Sequence, residues 1–497
     1  MTNTSASSAS GQTVGLRALL CSPRLLLREC LAGVVTALAL IPEVISFSVI
    51  AGVDPKVSLI ASVVLCFTLS LLGGRPAMVT AAAGSVALVI GPMVRAHGVD
   101  YIFPAVLLAG VVQIVFGVAG FARMMRYIPH SVMVGFVNAL GILIFLAQVP
   151  HVLHQPPMVW LPFASAIAIV LLFPRLSKSI PSPLVAIVLL TAVSMFAALQ
   201  VPTVGDKGAM QPGLPGLSSL QVPLSLATLQ IIWPTALSIA FVGLLESLLT
   251  AKLVDGLTDT RSSKSRESWA LGIGNLCAGC YGGIAGCAMI GQTIVNVDLG
   301  QARTRLSTLV AALVLLLLVT GLSRIMAQIP MVVLAAIMMI VALKTVSWHS
   351  IRPATLAKMP LSETIVMLLT VIVTVLTENL AVGVIGGAIL AMLLFARRVA
   401  HLIEASRTLS ADGESVRYDV RGPLFFGSSN DLVERFSYAQ DPARITIDLT
   451  YSAIWDASSV AALDAIQNRY EKHDKAVRFT GLDARSRRLH GKLSGKL

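Results

Sequence analysis

Glu246 lies in the run SIAFVGLLESLLTAKLVDG, where Ile239 to Leu249 is apolar except for Ser247 and the acid itself. A carboxylate near the middle of a membrane-crossing helix costs about 2.5 kcal/mol or more, so such acids mark ion pathways. Gly243 precedes it by three residues and Thr250 follows by four, which places all three on one helical face. A carboxylate, a hydroxyl and a bare backbone suit a proton or a hard cation such as sodium. A second intramembrane acid, Glu43, stands in ALALIPEVISFSVIAG beside Pro42, with Phe47 one turn on along the same face. It is read as a site residue or as a kink residue facing a polar cavity. Two further stretches offer backbone instead of side chains: Thr80–Ser85 (TAAAGS) and Gly282–Ala288 (GGIAGCA). Each opens a short predicted span. A helix that starts inside the membrane presents unpaired N–H groups and a partial positive charge. Two such ends facing one another make an anion site without Arg or Lys. The competing reading is close helix packing through small residues.

The elements that position these residues are long apolar runs. Charged residues make up 12% of the 497, against about 25% in a soluble domain. The fold class expected is a polytopic α-helical membrane protein. Predicted spans fall near 29–50, 56–73, 84–97, 102–120, 130–150, 159–173 and 182–200. After the Gly- and Pro-rich linker VPTVGDKGAMQPGLPGLSSL, others follow near 229–251, 265–281, 288–298, 304–323, 330–346, 361–377 and 379–399. With the N-terminus inside, basic residues concentrate in the inner loops, and this pattern accounts for the net charge of +12 without nucleic acid. Fourteen spans in two sets of seven imply repeats of opposite orientation, whose substrate site lies near the midplane. The third and tenth spans are the shortest and hold matching places in the two sets. No cleavable signal is expected, and residues 1–24 form a cytoplasmic tail. Glu378 reads as a solvated boundary acid. The six cysteines read as small packing residues, and Cys277-x2-Cys280 lacks the His partners of a metal site.

Beyond Arg397-Arg398 the composition turns polar. Residues 413–497 read as a small α/β domain with strands at VRYDV, RITIDL and AVRFTGL, and a helix that Ser458 or Ser459 caps. Ser458, a hydroxyl at a helix start, is also a possible regulatory phosphosite.

The segments IPEVISFSVIAGV, FVGLLESLLTAKLVDGLTD, GGIAGCAMIGQTIVN and DLTYSAIWDASSV together resemble the sulfate permease (SulP) family. That resemblance implies a 7+7 inverted-repeat membrane domain with core and gate parts over residues 25–404 (repeats about 25–200 and 229–404), joined to a cytoplasmic STAS domain over 413–497. It implies an inorganic anion substrate, an elevator motion and a homodimer. The family's anion site falls on Ala83, Gly84, Ser85, Ala288, Met289 and Ile290, with Glu43 at the first-span polar position and Phe47 beside it. The coupling-cation acid falls on Glu246, with Thr250 as partner. Two positions depart from the pattern. Gln292 stands where many members have a basic residue, and Ile290 offers no hydroxyl for sodium.

The expected function is secondary transport of sulfate or bicarbonate across the inner membrane, both termini cytoplasmic. Protonation of Glu246 would let an anion approach, giving proton symport in preference to sodium symport. An anion exchanger, a dicarboxylate or nucleobase permease of the same fold, and an anion sensor signalling through the tail are the alternatives. No Gly-x-Ser-x-Gly, P-loop or zinc spacing points to an enzyme or an ATP-driven pump. No cofactor is expected.

Overall fold

The computed structural model describes residues 22–120, 123, 127–153, 155–176, 181–197, 200–207, 217–219, 221–223 and 225–496. Most of the predicted tail, Arg126 and Lys178 of the predicted inner loops, and much of the linker lie outside these residues. The chain divides into two units, Met1–Gly387 and Ala388–Leu497.

The first unit is helical. Its principal elements are α1 (Pro23–Ala51), α2 (Pro55–Leu72), β1 (Thr80–Ala82), α3 (Gly84–His97), α4 (Ile102–Val118), α5 (His130–Gln148), α6 (Trp160–Leu172) and α7 (Ser182–Phe196). They continue with α8 (Leu226–Thr258), α9 (Lys264–Cys280), β2 (Gly286–Ala288), α10 (Ile290–Ile294), α11 (Arg305–Gly321), α12 (Met331–Thr345), α13 (Leu361–Thr377) and α14 (Leu380–Ala400), whose second half opens the other unit. Among the described residues, seven helical stretches are long and apolar enough to cross a membrane: Pro23–Ala51, Pro55–Leu72, Val99–Val118, His130–Leu153, Pro157–Arg175, Leu226–Thr258 and Leu380–Ala400, the third, fourth and fifth extending α4, α5 and α6 by short flanking turns; α7, α11, α12 and α13 are apolar but shorter. Local chemistry sets the ends. Asp54 caps α2 by accepting from Lys56 N at 2.8 Å, with Pro55 in the first turn. Ser225 caps α8 by accepting from Thr228 N at 3.2 Å.

Small residues let the helices approach. Gly110 of α4 crosses Gly272 of α9 so closely that a Cβ on Gly272 would stand 2.6 Å from the Gly110 carbonyl. Several boundaries differ from the predicted spans. The expected span 229–251 is the 33-residue α8, because two polar turns continue past the apolar run. The span at 182–200 ends at Phe196. The tenth span, expected as one element over 288–298, is a strand end, five α residues and the π-turn Val295–Leu299.

Charges at the end of α8 hold the approach to β1. Asp255 accepts from Lys264 Nζ at 2.6 Å and from Arg75 Nη1 at 3.0 Å. Glu267 accepts from the backbone N–H groups of Gly74 at 2.6 Å and Arg75 at 3.1 Å. The segment between α2 and β1 is thereby tied to α8 and α9.

The second unit has a four-stranded sheet ordered β3 (Glu404–Leu409), β4 (Ser415–Leu424), β5 (Arg444–Ile454), β6 (Ala476–Thr480). β3 is antiparallel to β4; β4–β5 and β5–β6 are parallel. Three helices accompany the sheet: α15 (Ser429–Glu434), α16 (Ala457–Glu471) and α17 (Ala484–Leu493). The sheet thus begins before residue 413. β3 escapes notice in the sequence because EASRTL is exposed on an edge and carries no apolar alternation. The expected Ser cap is also corrected. Asp456 caps α16, accepting from Ser459 N at 3.0 Å, while Ser459 Oγ–H donates to the same carboxylate. Ser458 is exposed in the first turn.

A buried Asp441 anchors the core, accepting from Tyr470 Oη at 2.6 Å, Tyr418 Oη at 2.7 Å and Arg407 Nε at 2.8 Å. Asp441→Ala orphans two buried hydroxyls, at about 1–3 kcal/mol each. The second unit's unfolding midpoint should fall clearly in urea, and adding Tyr418→Phe should recover part of the loss. Burial and then the hydrogen bond to Asp441 raise Tyr470 above the ordinary phenol range. The folded state therefore holds that proton more tightly, and its contribution is full below about pH 10 and declines as pH rises further.

Candidate functional site

Strands β1 and β2 cross antiparallel inside the first unit, pairing Thr80 with Ala288, Ala81 with Cys287 and Ala82 with Gly286. Each leads directly into a helix, α3 and α10. Ala83 and Met289 are the N-cap residues, and neither helix start is capped by a side chain. Three-residue strands of Ala, Gly and Cys are weak on their own, so tertiary bonds hold them. Ala82 N donates to Ser62 Oγ at 3.1 Å, Met289 N to the Val79 carbonyl at 2.9 Å and Val79 N to Thr293 Oγ1 at 3.0 Å. Asn275 of α9 clasps Gly286, accepting from its N–H at 2.8 Å and donating to its carbonyl at 3.2 Å; it also donates to Gln113 Oε1 at 2.8 Å.

Helix α8 runs along β2. A Cβ at Gly243 would stand 3.7 Å from the Gly286 carbonyl and 3.8 Å from Cys287 Cβ. Glu246 follows: Oε2 accepts from Cys287 Sγ at 3.0 Å and from Ser85 Oγ. Ser247 Oγ accepts from Ala288 N at 2.9 Å, and Thr250 Oγ1 lies 3.4 Å from the Ala288 carbonyl while bonding its own helix at Glu246 O, 2.8 Å. The face predicted to hold Gly243, Glu246 and Thr250 thus abuts β2, and Glu246 joins the start of α3 to the strand before α10. Glu246 is 7% exposed as a residue, and its carboxylate is turned into protein toward Ser85 and Cys287.

A second cluster forms on α1. Glu43, half-buried, is hydrogen-bonded by buried Gln292. Gln292 Oε1 has no protein partner among the described residues. Phe47 packs on the start of α3, and a Cβ on Gly84 would meet its Cε1 at 2.6 Å. We expect Gly84→Ala to slow initial uptake and to cost about 1–3 kcal/mol through overpacking. Phe47→Leu added to it should restore part of both, read by initial rates and by thermal melting. Ile290 is half-buried, and the neighbouring Gly291 borders open space. Glu378 is exposed and pairs with Arg95 at 3.4 Å.

One reading from the sequence needs correction. Cys287 is a hydrogen-bond donor to Glu246, beyond a packing residue. Asn275, Gln113, Ser62 and Thr293 were not singled out, although polar side chains within apolar runs are the signal that could have found them.

A polytopic helical unit in which two short helix starts meet over a buried carboxylate, followed by a small α/β unit, defines a membrane transporter class. The sulfate permease family profile matches residues 26–165 and 157–370, and the STAS domain profile matches 408–494. The chain belongs to the sulfate permease family. YbaR of Bacillus subtilis is 43% identical over 463 residues, covering 93% of this chain and 96% of that one. Among solved structures, the transmembrane domain of a cyanobacterial bicarbonate transporter, BicA, aligns with a TM-score of 0.64 at 26% identity, over 73% of this chain and 97% of that one. Murine Slc26a9, an anion transporter, shares the fold with a TM-score of 0.82 at 17% identity, over 99% and 92%. The chain is an integral membrane protein of an anion-transporter family whose named relatives include sulfate transporters and bicarbonate transporters.

Proposed function

We propose that this chain moves one inorganic oxyanion, sulfate or bicarbonate, together with a proton, binding the anion between the starts of α3 and α10. The observation that carries this reading is Glu246 bonded to Ser85 and Cys287 at the crossing of β1 and β2. A charged carboxylate there would repel the anion, and a proton on it removes the repulsion. The uncapped N–H groups near Gly84 and Ser85, and those after Met289, supply donors. Ser85 Oγ–H can turn to the anion when Glu246 carries its own proton. Glu43 and Gln292 form the polar wall, with Phe47 over Gly84. The coupled proton offsets about 2.3 kcal/mol per charge per 100 mV of opposing potential. Carriage proceeds by an elevator motion of the core carrying α3 and α10 past a gate. The transporter works as a homodimer in the inner membrane, with the N-terminus and the STAS domain on the cytoplasmic side.

Sodium coupling is the second reading. It is favoured by one feature: Thr250 Oγ1 lies within hydrogen-bonding reach of two carbonyl oxygens, Glu246 O at 2.8 Å and Ala288 O at 3.4 Å. Against it, Ile290 adds no oxygen. The test is uptake of labelled sulfate and bicarbonate into proteoliposomes, each with an imposed pH or sodium gradient. Competition from chloride, nitrate, fumarate and uracil sets selectivity. Proton-driven accumulation of one oxyanion is expected. Accumulation that follows only the sodium gradient, or only counter-loaded anion, would replace proton symport with sodium symport or exchange.

A further inference from the structure

Away from the candidate site, a crevice of about 500 Å³ opens beside the first turns of α1. Arg24 and Arg28 stand at its mouth, one helical turn apart, and Leu27, Leu31, Val35 and Leu299 form its wall. No carboxylate is among the described residues that line it. Leu27 is 60% exposed, Leu31 56% and Leu299 68%, so the wall is open and apolar while the rim is cationic. The α1 N-terminus adds to the positive field, since Ser22 makes no side-chain cap. Glu29, the acid nearest in sequence, is turned away and committed elsewhere. It is buried, and its Oε1 accepts from the N–H groups of Arg303 at 2.7 Å and Thr304 at 3.1 Å.

We propose that this crevice is a binding site for an anionic phospholipid of the leaflet at the N-terminal end of α1. The phosphate meets the two guanidiniums, which bind phosphate in a planar fork. One acyl chain lies along Leu27, Leu31 and Val35. A soluble phosphate would satisfy the arginines alone and leave the apolar wall without a partner. A zwitterionic lipid would fill the wall and bring a choline beside two cations. The combination of rim and wall fits an anionic lipid better than either.

The experiment is native mass spectrometry of the full-length protein purified with defined phosphatidylglycerol or phosphatidylcholine. Phosphatidylglycerol should be retained preferentially. The variant Arg24→Gln/Arg28→Gln should retain it roughly ten- to thirty-fold less, the attraction expected of two basic side chains at an anionic surface. Arg24→Lys/Arg28→Lys, which keeps the charge but loses the fork, should recover part of the retention, and both variants should melt like the wild type because the side chains are exposed. Equal retention of the two lipids, full retention in the Gln variant, or displacement of phosphatidylglycerol by excess inorganic phosphate would each overturn the proposal.

Discussion

Glu246→Gln should abolish proton-driven accumulation while leaving a folded protein. The amide is isosteric, and its oxygen can still accept from Ser85 and Cys287, so the junction between α8, α3 and β2 keeps its bonds. What the variant loses is the group that gains and releases a proton. A pH gradient of one unit is worth about 1.4 kcal/mol, so a transporter coupled to one proton accumulates substrate up to about ten-fold per unit when the potential is clamped at zero. The variant should equilibrate the anion to a ratio of one, if it moves anion at all. Proteoliposomes loaded at one pH and diluted into another, with potassium and valinomycin holding the potential, read this directly. A Gln variant that still concentrates anion in response to the pH step would remove Glu246 from the coupling machinery.

Gly286→Ala should be among the most damaging single-methyl additions at the described glycines. A Cβ there would lie 2.1 Å from the Ala81 carbonyl oxygen, 2.6 Å from its carbonyl carbon and 2.5 Å from Leu65 Cδ1. Two of those three atoms are backbone of the paired strand, which is itself pinned by Ser62 and by the bond from Met289 to Val79. Neither strand can yield without breaking the pairing that sets the starts of α3 and α10. Overpacking with no flexible neighbour sits at or above the upper end of the usual ~1–3 kcal/mol. Loss of monodisperse protein, or folded protein without transport, is expected. Gly321→Ala, at the end of α11, is the control, because a Cβ there meets nothing within 4 Å. Wild-type transport by Gly286→Ala would mean that this strand pairing is not required for function.

Much of this was legible in the chain, for definite reasons. Lipid leaves no partner for an unpaired backbone, so helices must form, and their apolar runs announce them; α3 begins at Gly84, where the third span was expected. An acid in such a run is expensive enough to stand out, which is why Glu246 and Glu43 could be named. The same cost argument flags Asn275 and Gln113, which hold β2 in place. Asp456 was hidden by two neighbouring serines that compete for the same capping role, and β3 by its polar edge sequence.

The sequence alone determined a polytopic membrane unit, a polar α/β tail, and which few side chains the lipid could not tolerate unpartnered, because each follows from the free energy of one segment in its solvent. Only the tertiary structure decided that residues 80–82 and 286–288 pair across more than two hundred positions. It also decided that Cys287 and Ser85 share one oxygen of Glu246, and that Gln292 turns to Glu43. Three-residue strands of Ala, Gly and Cys have no propensity to reveal them. They exist because α2, α8 and α9 supply hydrogen-bond partners from far along the chain, and that information resides in the packing.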